Sequence, residues 1–183
     1  MRATDELRAE HEGIKLMLRI IEATCRRLDA GEPVDRDDLP RIVEFLSVFA
    51  DRCHHGKEED LLFPALEAAG VPREGGPIGV MLSEHAGGRE LIKAMRAALD
   101  SLGAGASDAA DGFISSAMAY KELLEQHIEK ENGVLFAVAD RALAAEQQDE
   151  LFEGFEAIER ERIGVGKHEE FHALMDTLAG KYL

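Results

Sequence analysis

Residues 54–64 read HHGKEEDLLFP and residues 127–137 read HIEKENGVLFA, with His, Lys, Glu, Leu and Phe at matching offsets. In each stretch a histidine precedes a glutamate by four residues: His54 with Glu58, and His127 with Glu131. Four residues advance an α-helix by about 6 Å and about 400°, so each pair lies on one face, one turn apart. The chain therefore carries a duplicated cassette that offers an imidazole and a carboxylate to the same side of a helix. A carboxylate inside an apolar core costs several kcal/mol unless it is paired, and two of them repel. Where both cassettes face one interior, cations belong between them.

The flanking periodicity supplies that interior. Leu7, His11, Ile14, Leu18, Ile21, Cys25 and Leu28 are spaced 4-3-4-3-4-3, the seam of a helix packed on other helices. Thr4 is its expected N-cap, and Gly31 with Pro33 ends it. A second line, Val43, Leu46, Ala50, His54, Glu58, Leu61 and Ala65, starts near Asp37 and Pro40; Pro64 should kink or restart it before Gly70. The third is Ile78, Met81, His85, Gly88, Ile92, Met95, Leu99 and Leu102. The fourth is Phe113, Ala117, Tyr120, Leu124, His127, Glu131, Val134 and Val138. From Glu146 a shorter helix, a break at Gly164 and Gly166, and a final helix with His168, Phe171, His172, Met175 and Leu178 follow. No segment alternates convincingly with period two. The pattern predicts an all-α protein, an up-down-up-down four-helix bundle with additional C-terminal helices packed across it or against its end. One domain is expected over 1–183, with the core bundle at about 4–143 and a helical extension at about 146–183.

Each of the four lines carries one histidine: His11, His54, His85 and His127. A lone histidine on a buried stripe is ordinarily a hydrogen-bonded core residue. One per helix, joined by two glutamates, reads instead as a ligand set. Imidazole and carboxylate donors without thiolate suit non-haem iron ahead of manganese or zinc, and two bridging carboxylates suit a pair of ions better than one. Cys53 adjoins His54, but a single residue turns a helix by about 100°, off the ligand line. Leu62, Phe63, Leu135 and Phe136, which follow the cassettes, are expected in the core, and Lys57 and Lys130 on the solvated flank. Gly87 and Gly88 sit mid-helix at a cost of roughly 0.5–1 kcal/mol each relative to Ala, so something there needs room, either close helix packing or a small ligand.

Charge and composition exclude several classes. The 183 residues include 21 Lys+Arg against 37 Asp+Glu, a net charge of −16 that suits neither nucleic acid nor an anionic membrane surface. At 45% hydrophobic residues the chain can bury a sizeable core. No apolar run approaches the roughly 20 residues of a membrane span, and the opening MRATDELRAEHE is too acidic for a signal peptide, so a cytoplasmic location is expected. Cys25 and Cys53 are expected to be reduced core residues.

From about Leu7 to Leu143 the chain resembles the haemerythrin-like (HHE cation-binding) proteins, through the His11 helix, HHGKEEDLLFP, EHAGGR and HIEKENGVLF. The resemblance implies two iron ions: His11 and His54 on one, His85 and His127 on the other, Glu58 and Glu131 bridging them, and an oxo or hydroxo bridge completing the pair. It further implies O2, NO or peroxide as the small partner, with binding for sensing, carriage or iron and redox homeostasis, or as the alternative a di-iron enzyme that decomposes peroxide or acts as an oxidase. Oxygen-carrying members place a second histidine one turn after the third-helix ligand, where this chain has Arg89. His55 is expected to supply that fifth imidazole, with His168 and His172 as rivals. Arg89 is expected to pair with Glu84 or with a bridging carboxylate.

Overall fold

A computed structural model describes residues 2–104 and 108–183. Among the described residues there are six continuous helical runs and no strand, as the periodicity predicts. Helix α1 is Ala3–Asp29. Helix α2, residues 38–68, begins as Asp38–Phe45, widens into π-helical turns at Leu46–His55 and Glu58–Leu62, and closes as Phe63–Ala68. Helix α3 is Pro77–Gly103, and α4, residues 109–142, contains a π-helical turn at Glu131–Leu135. Helix α5, residues 145–163, ends in another at Glu159–Ile163, and α6 is Lys167–Tyr182. Gly164 and Gly166, at φ 99° and 84°, make the α5–α6 break in backbone that side-chain-bearing residues avoid.

The core lies in two apolar strata. One gathers Ile14–Ile21 positions of α1, Leu39–Ala50 positions of α2, Ile92 and Met95 of α3, Phe113–Leu124 positions of α4, and the buried face of α6. The other gathers Leu7, Leu62, Phe63, Leu66, Ile78, Met81, Leu135, Phe136 and Phe155. Helices α1 and α3 run from the second stratum to the first, and α2 and α4 run back, which is the expected up-down-up-down order. His11, His54, His85 and His127 all fall where their helices pass between the strata. A polar layer is thereby held between two dry ones.

Two of three local expectations change. Thr4 sits inside the first turn rather than capping it, and its hydroxyl donates to Asp140 Oδ1 at 2.6 Å, tying α1 to α4. Pro64 restarts the helix without breaking it: it stands in the first turn of the α-helical stretch Phe63–Ala68, where π-helical bonding gives way to α-helical bonding and a missing N–H disrupts least. The buried line also slips by one residue after each glutamate. Leu62 and Leu135 are buried, whereas Leu61 is only partly so and Val134 is 54% exposed. Both slips follow from a turn closed i to i−5, Phe63 N–H to Glu58 O and Phe136 N–H to Glu131 O, which inserts one residue into the helical period.

The C-terminal helices lie along the flank of α1 and α2 rather than over an end. Phe171 meets Phe45 edge-on at 5.4 Å between ring centroids, and Tyr182 Oη donates to Asp38 Oδ2 at 2.7 Å. No helix among the described residues is long and apolar enough to cross a membrane.

The glycine pair in α3 packs against α4. A methyl group on Gly88 would lie 3.5 Å from Tyr120 Cε2 and 3.8 Å from Leu124 Cδ2, ordinary contact distances, while a longer side chain has nowhere to go. Gly88→Ala should therefore hold or raise the stability in denaturant melts, by up to about 1 kcal/mol from helix propensity. Gly88→Leu should lower it. Loss of stability in the alanine variant would show that the bare backbone is needed for more than packing.

Candidate metal centre

Seven side chains meet in the polar layer: His11 of α1, His54, His55 and Glu58 of α2, His85 of α3, and His127 and Glu131 of α4. None is more than 3% exposed. Their donor atoms form two groups, each within 4.8 Å: His11, His54, Glu58 and Glu131, and His55, Glu58, His85 and His127. All seven residues singled out in the sequence are thus brought together. The pairing of His11 with His54 and of His85 with His127 is also as expected, their Nε2 atoms lying 2.9 Å and 3.1 Å apart. His55 joins the second group, its ring stacked on that of His85 at 3.9 Å. His168 and His172 do not reach either group; they line a cleft between α1, α2 and the C-terminal helices.

Each glutamate faces both groups. Glu131 Oε2 lies 3.2 Å from His11 Nε2, and its Oε1 lies 3.1 Å from His127 Nε2. Glu58 Oε1 lies 3.8 Å from His54 Nε2, and its Oε2 lies 3.4 Å from His85 Nε2. Despite these approaches none of the four oxygens receives a well-directed hydrogen bond, and neither do the ring nitrogens of His55.

The outer ring nitrogens explain the orientation. Nδ1 of His11 lies 2.9 Å from Asn132 Oδ1, that of His54 2.8 Å from Glu10 Oε2, that of His85 2.7 Å from Glu59 Oε1, and that of His127 2.9 Å from Glu84 Oε2. Carboxylate and amide oxygens only accept, so Nδ1 of each ring carries a proton and Nε2 is the nitrogen turned inward. With the rings neutral, as metal ligands must be, two Nε2 lone pairs under 3.2 Å apart, beside unpaired buried carboxylate oxygens, repel unless cations lie between them. The donor set therefore fits metal ions on the geometry of the side chains themselves.

Cations stand behind the carboxylates in turn. Lys57 donates to Glu10 at 2.7 Å and Lys130 to Glu84. Arg89 donates to Glu59 at 2.7 Å and to Asp51 at 2.8 Å, and Asp51 Oδ1 lies 3.5 Å from Nδ1 of His55. Arg89 thus occupies the position of the missing histidine by clamping the acids behind His85 and His55; it pairs with neither Glu84 nor a bridging glutamate. Lys57 also departs from expectation. It is fully buried, gripped by Glu6, Glu10 and Glu159, whereas Lys130 stays on the flank, 43% exposed. Glu10, Glu159 and His168 form a third group of possible metal donors, but the ammonium of Lys57 already serves its two carboxylates.

Titration follows the same contest. Burial pushes the Glu10 carboxyl up, but the His54 hydrogen bond and the charges of His54 and Lys57 outweigh it and hold the group at about 2. Burial pushes His85 down, while Glu58 and Glu59 raise it to about 9. His55 is held well below its ordinary value by burial and by His85 and His127. Burial alone raises the Cys25 thiol to about 12, and the Cys53 thiol, chiefly by burial, reaches about the same value. Both cysteines are free, and Cys53 stands in neither ligand group.

The outer partners were not singled out in the sequence, yet they leave a signal. Glu10 and Glu84 each directly precede a ligand histidine, and Glu59 and Asn132 each directly follow a ligand glutamate. A neighbour rotated by about 100° misses its own helix's site and meets the ligand of the next helix. The motif thus encodes each ligand beside the support for another.

Two imidazole groups joined by shared carboxylates within a four-helix bundle define a metal-binding bundle protein. The family model described as the hemerythrin HHE cation binding domain matches residues 2–139. The chain belongs to that family. It is 28% identical over 177 residues to an uncharacterized protein of Mycobacterium tuberculosis, covering 97% of this chain and 68% of that one. A Mycobacterium bovis protein matches with the same figures. An iron-sulfur cluster repair protein, YtfE, of Enterobacter sp. is 33% identical over 118 residues, 61% of this chain and 52% of that protein. No solved structure matches the chain.

Two outcomes test the centre. His55→Ala should loosen one metal ion while leaving the other firm, and His168→Ala should change the content of neither, both measured by elemental analysis after dialysis against a chelator. The reverse result would move the fifth imidazole to α6. Metal removal should also lower the melting temperature, since ions that bind only the folded chain stabilise it by mass action. An unchanged melt would mean that the layer is satisfied without metal.

Proposed function

We propose that the chain holds a pair of iron ions and binds a small diatomic ligand, O2 or NO, in sensing, carriage or iron and redox homeostasis. The observation that carries this is the way Glu58 and Glu131 each turn one oxygen to either group while all four oxygens remain buried without hydrogen bonds. Carboxylates so placed would be shared by a pair of ions. Iron held there supplies a redox-active ion with an exchangeable position.

The residues divide the work. The first group offers two imidazoles and the second three, so the place for a further ligand is on the first, beside His11 and His54. Phe136 stacks on His11 at 5.4 Å, and Leu7, Leu62 and Phe63 close the layer below, keeping water from that side. Nδ1 partners on four helices hold the rings so that binding requires no reorganisation. His55, stacked on His85, gives the second group a third imidazole, which favours binding over peroxide decomposition or oxidase turnover. The relative named as an iron-sulfur cluster repair protein favours iron and redox homeostasis over bulk carriage. Two free, buried thiols accord with a reducing cytoplasmic setting.

Reduced protein should change its optical spectrum in air or nitric oxide and recover on removal of the gas. Sustained consumption of added peroxide would favour the enzyme. Glu58→Ala and Glu131→Ala should each lose both irons, and firm retention of the pair in either variant would sink the bridging assignment.

A further inference from the structure

One buried ammonium joins the core bundle to the C-terminal helices. Lys57 Nζ donates to Glu6 Oε1 at 2.6 Å, to Glu10 Oε1 at 2.7 Å and to Glu159 Oε1 at 2.5 Å. Glu6 and Glu10 belong to α1, but Glu159 opens the π-helical end of α5, beyond the residues that the family model matches. The other oxygen of Glu10 accepts from Nδ1 of His54 at 2.8 Å. An unbroken line of polar contacts thus runs from the C-terminal helices to a histidine of the first group.

An ammonium stripped of water needs an acceptor for each of its three N–H bonds, and here the C-terminal helices lend one. The matched lysine of the second cassette gives the contrast. Lys130 serves Glu84 behind His127 in the same way, yet it is 43% exposed and its charge is screened by solvent. One cassette, used twice, therefore produces a sealed support behind His54 and an open one behind His127. The sealed one backs the group with fewer imidazoles.

We propose that Lys57 and Glu159 are positioning residues through which the docked C-terminal helices set how strongly His54 donates to its metal ion, a regulation that rests on the di-iron reading above. The sign of each change follows from charge. A carboxylate held by an ammonium accepts more weakly from Nδ1, and the ring then donates less from Nε2. Neutralising Glu159 leaves Lys57 to act on fewer acids, Glu10 among them, which weakens His54 as a donor. Removing the ammonium frees Glu10 and strengthens His54. A purely structural role would move both variants the same way.

The test uses the full chain carrying Glu159→Gln, Glu6→Gln or Lys57→Met, with Glu153→Gln on the exposed face of α5 as control. Iron-loaded Glu159→Gln and Glu6→Gln should raise the reduction potential and release one of the two irons to a chelator about 10-fold faster, whereas Lys57→Met should lower the potential. Should Lys57→Met fail to fold, the His54 resonance in Glu159→Gln and Glu6→Gln, which lie on different helices, decides instead. Nitrogen-15 spectra of the histidines in metal-free protein should show the His54 Nδ1–H resonance displaced in Glu159→Gln and unmoved in Glu153→Gln. That readout needs no iron, so a failed di-iron reading and a failed positioning line are told apart. Wild-type potential and wild-type His54 resonance in Glu159→Gln would overturn the proposal, as would shifts of one sign in Glu159→Gln and Lys57→Met.

Discussion

Two glutamates buried back to back between apolar strata are the constraint to which the rest of the molecule answers. Glu58 and Glu131 have no exposed atom and no well-directed hydrogen bond, and each isolated charge so placed costs several kcal/mol. Four of the five imidazoles that surround them turn inward because carboxylates and an amide hold their outer nitrogens, and the fifth, His55, stacks on His85. Those carboxylates are held by Lys57, Lys130 and Arg89. From the centre outward, each layer supplies the charge that the one inside it lacks.

The helical frame is shaped by the same demand. A regular α-helix cannot aim His54, His55 and Glu58 into one interior as readily as a widened one, and α2 is π-helical around both ends of that triplet. The second cassette repeats the device at Glu131–Leu135. Such turns give up favourable backbone geometry, and their concentration at functional sites follows from the ligands they bring into reach. The apolar residues that follow, Leu62 with Phe63 and Leu135 with Phe136, then seal the layer.

Much of this was legible in the sequence, because periodicity reports burial. Four lines of apolar residues with one histidine each gave the bundle, the level of the polar layer and six of the seven inward-facing residues; His55 lies on none of the lines and followed only from the resemblance. The register beyond Glu58 and Glu131 was legible only in part: Leu62, Phe63, Leu135 and Phe136 read as core, but nothing in the composition marks a turn closed i to i−5, so the helical line ran on through Leu61 and Val134. Lys57 was misplaced for a different reason. Its burial depends on Glu159, about a hundred residues away, and no local pattern announces that contact. Arg89 was noticed as a departure, but its acids, Asp51 and Glu59, come from another helix.

The proposed chemistry requires the two groups to be halves of one carboxylate-bridged centre rather than two separate sites. Mössbauer and electron paramagnetic resonance spectra of the oxidised, iron-loaded protein test this most directly. Ferric ions sharing Glu58 and Glu131 would be close enough to couple their spins, and the expected result is a pair with a diamagnetic ground state and no resonance from isolated ferric iron. Two uncoupled ferric signals, or a single ion per chain at saturation, would contradict it.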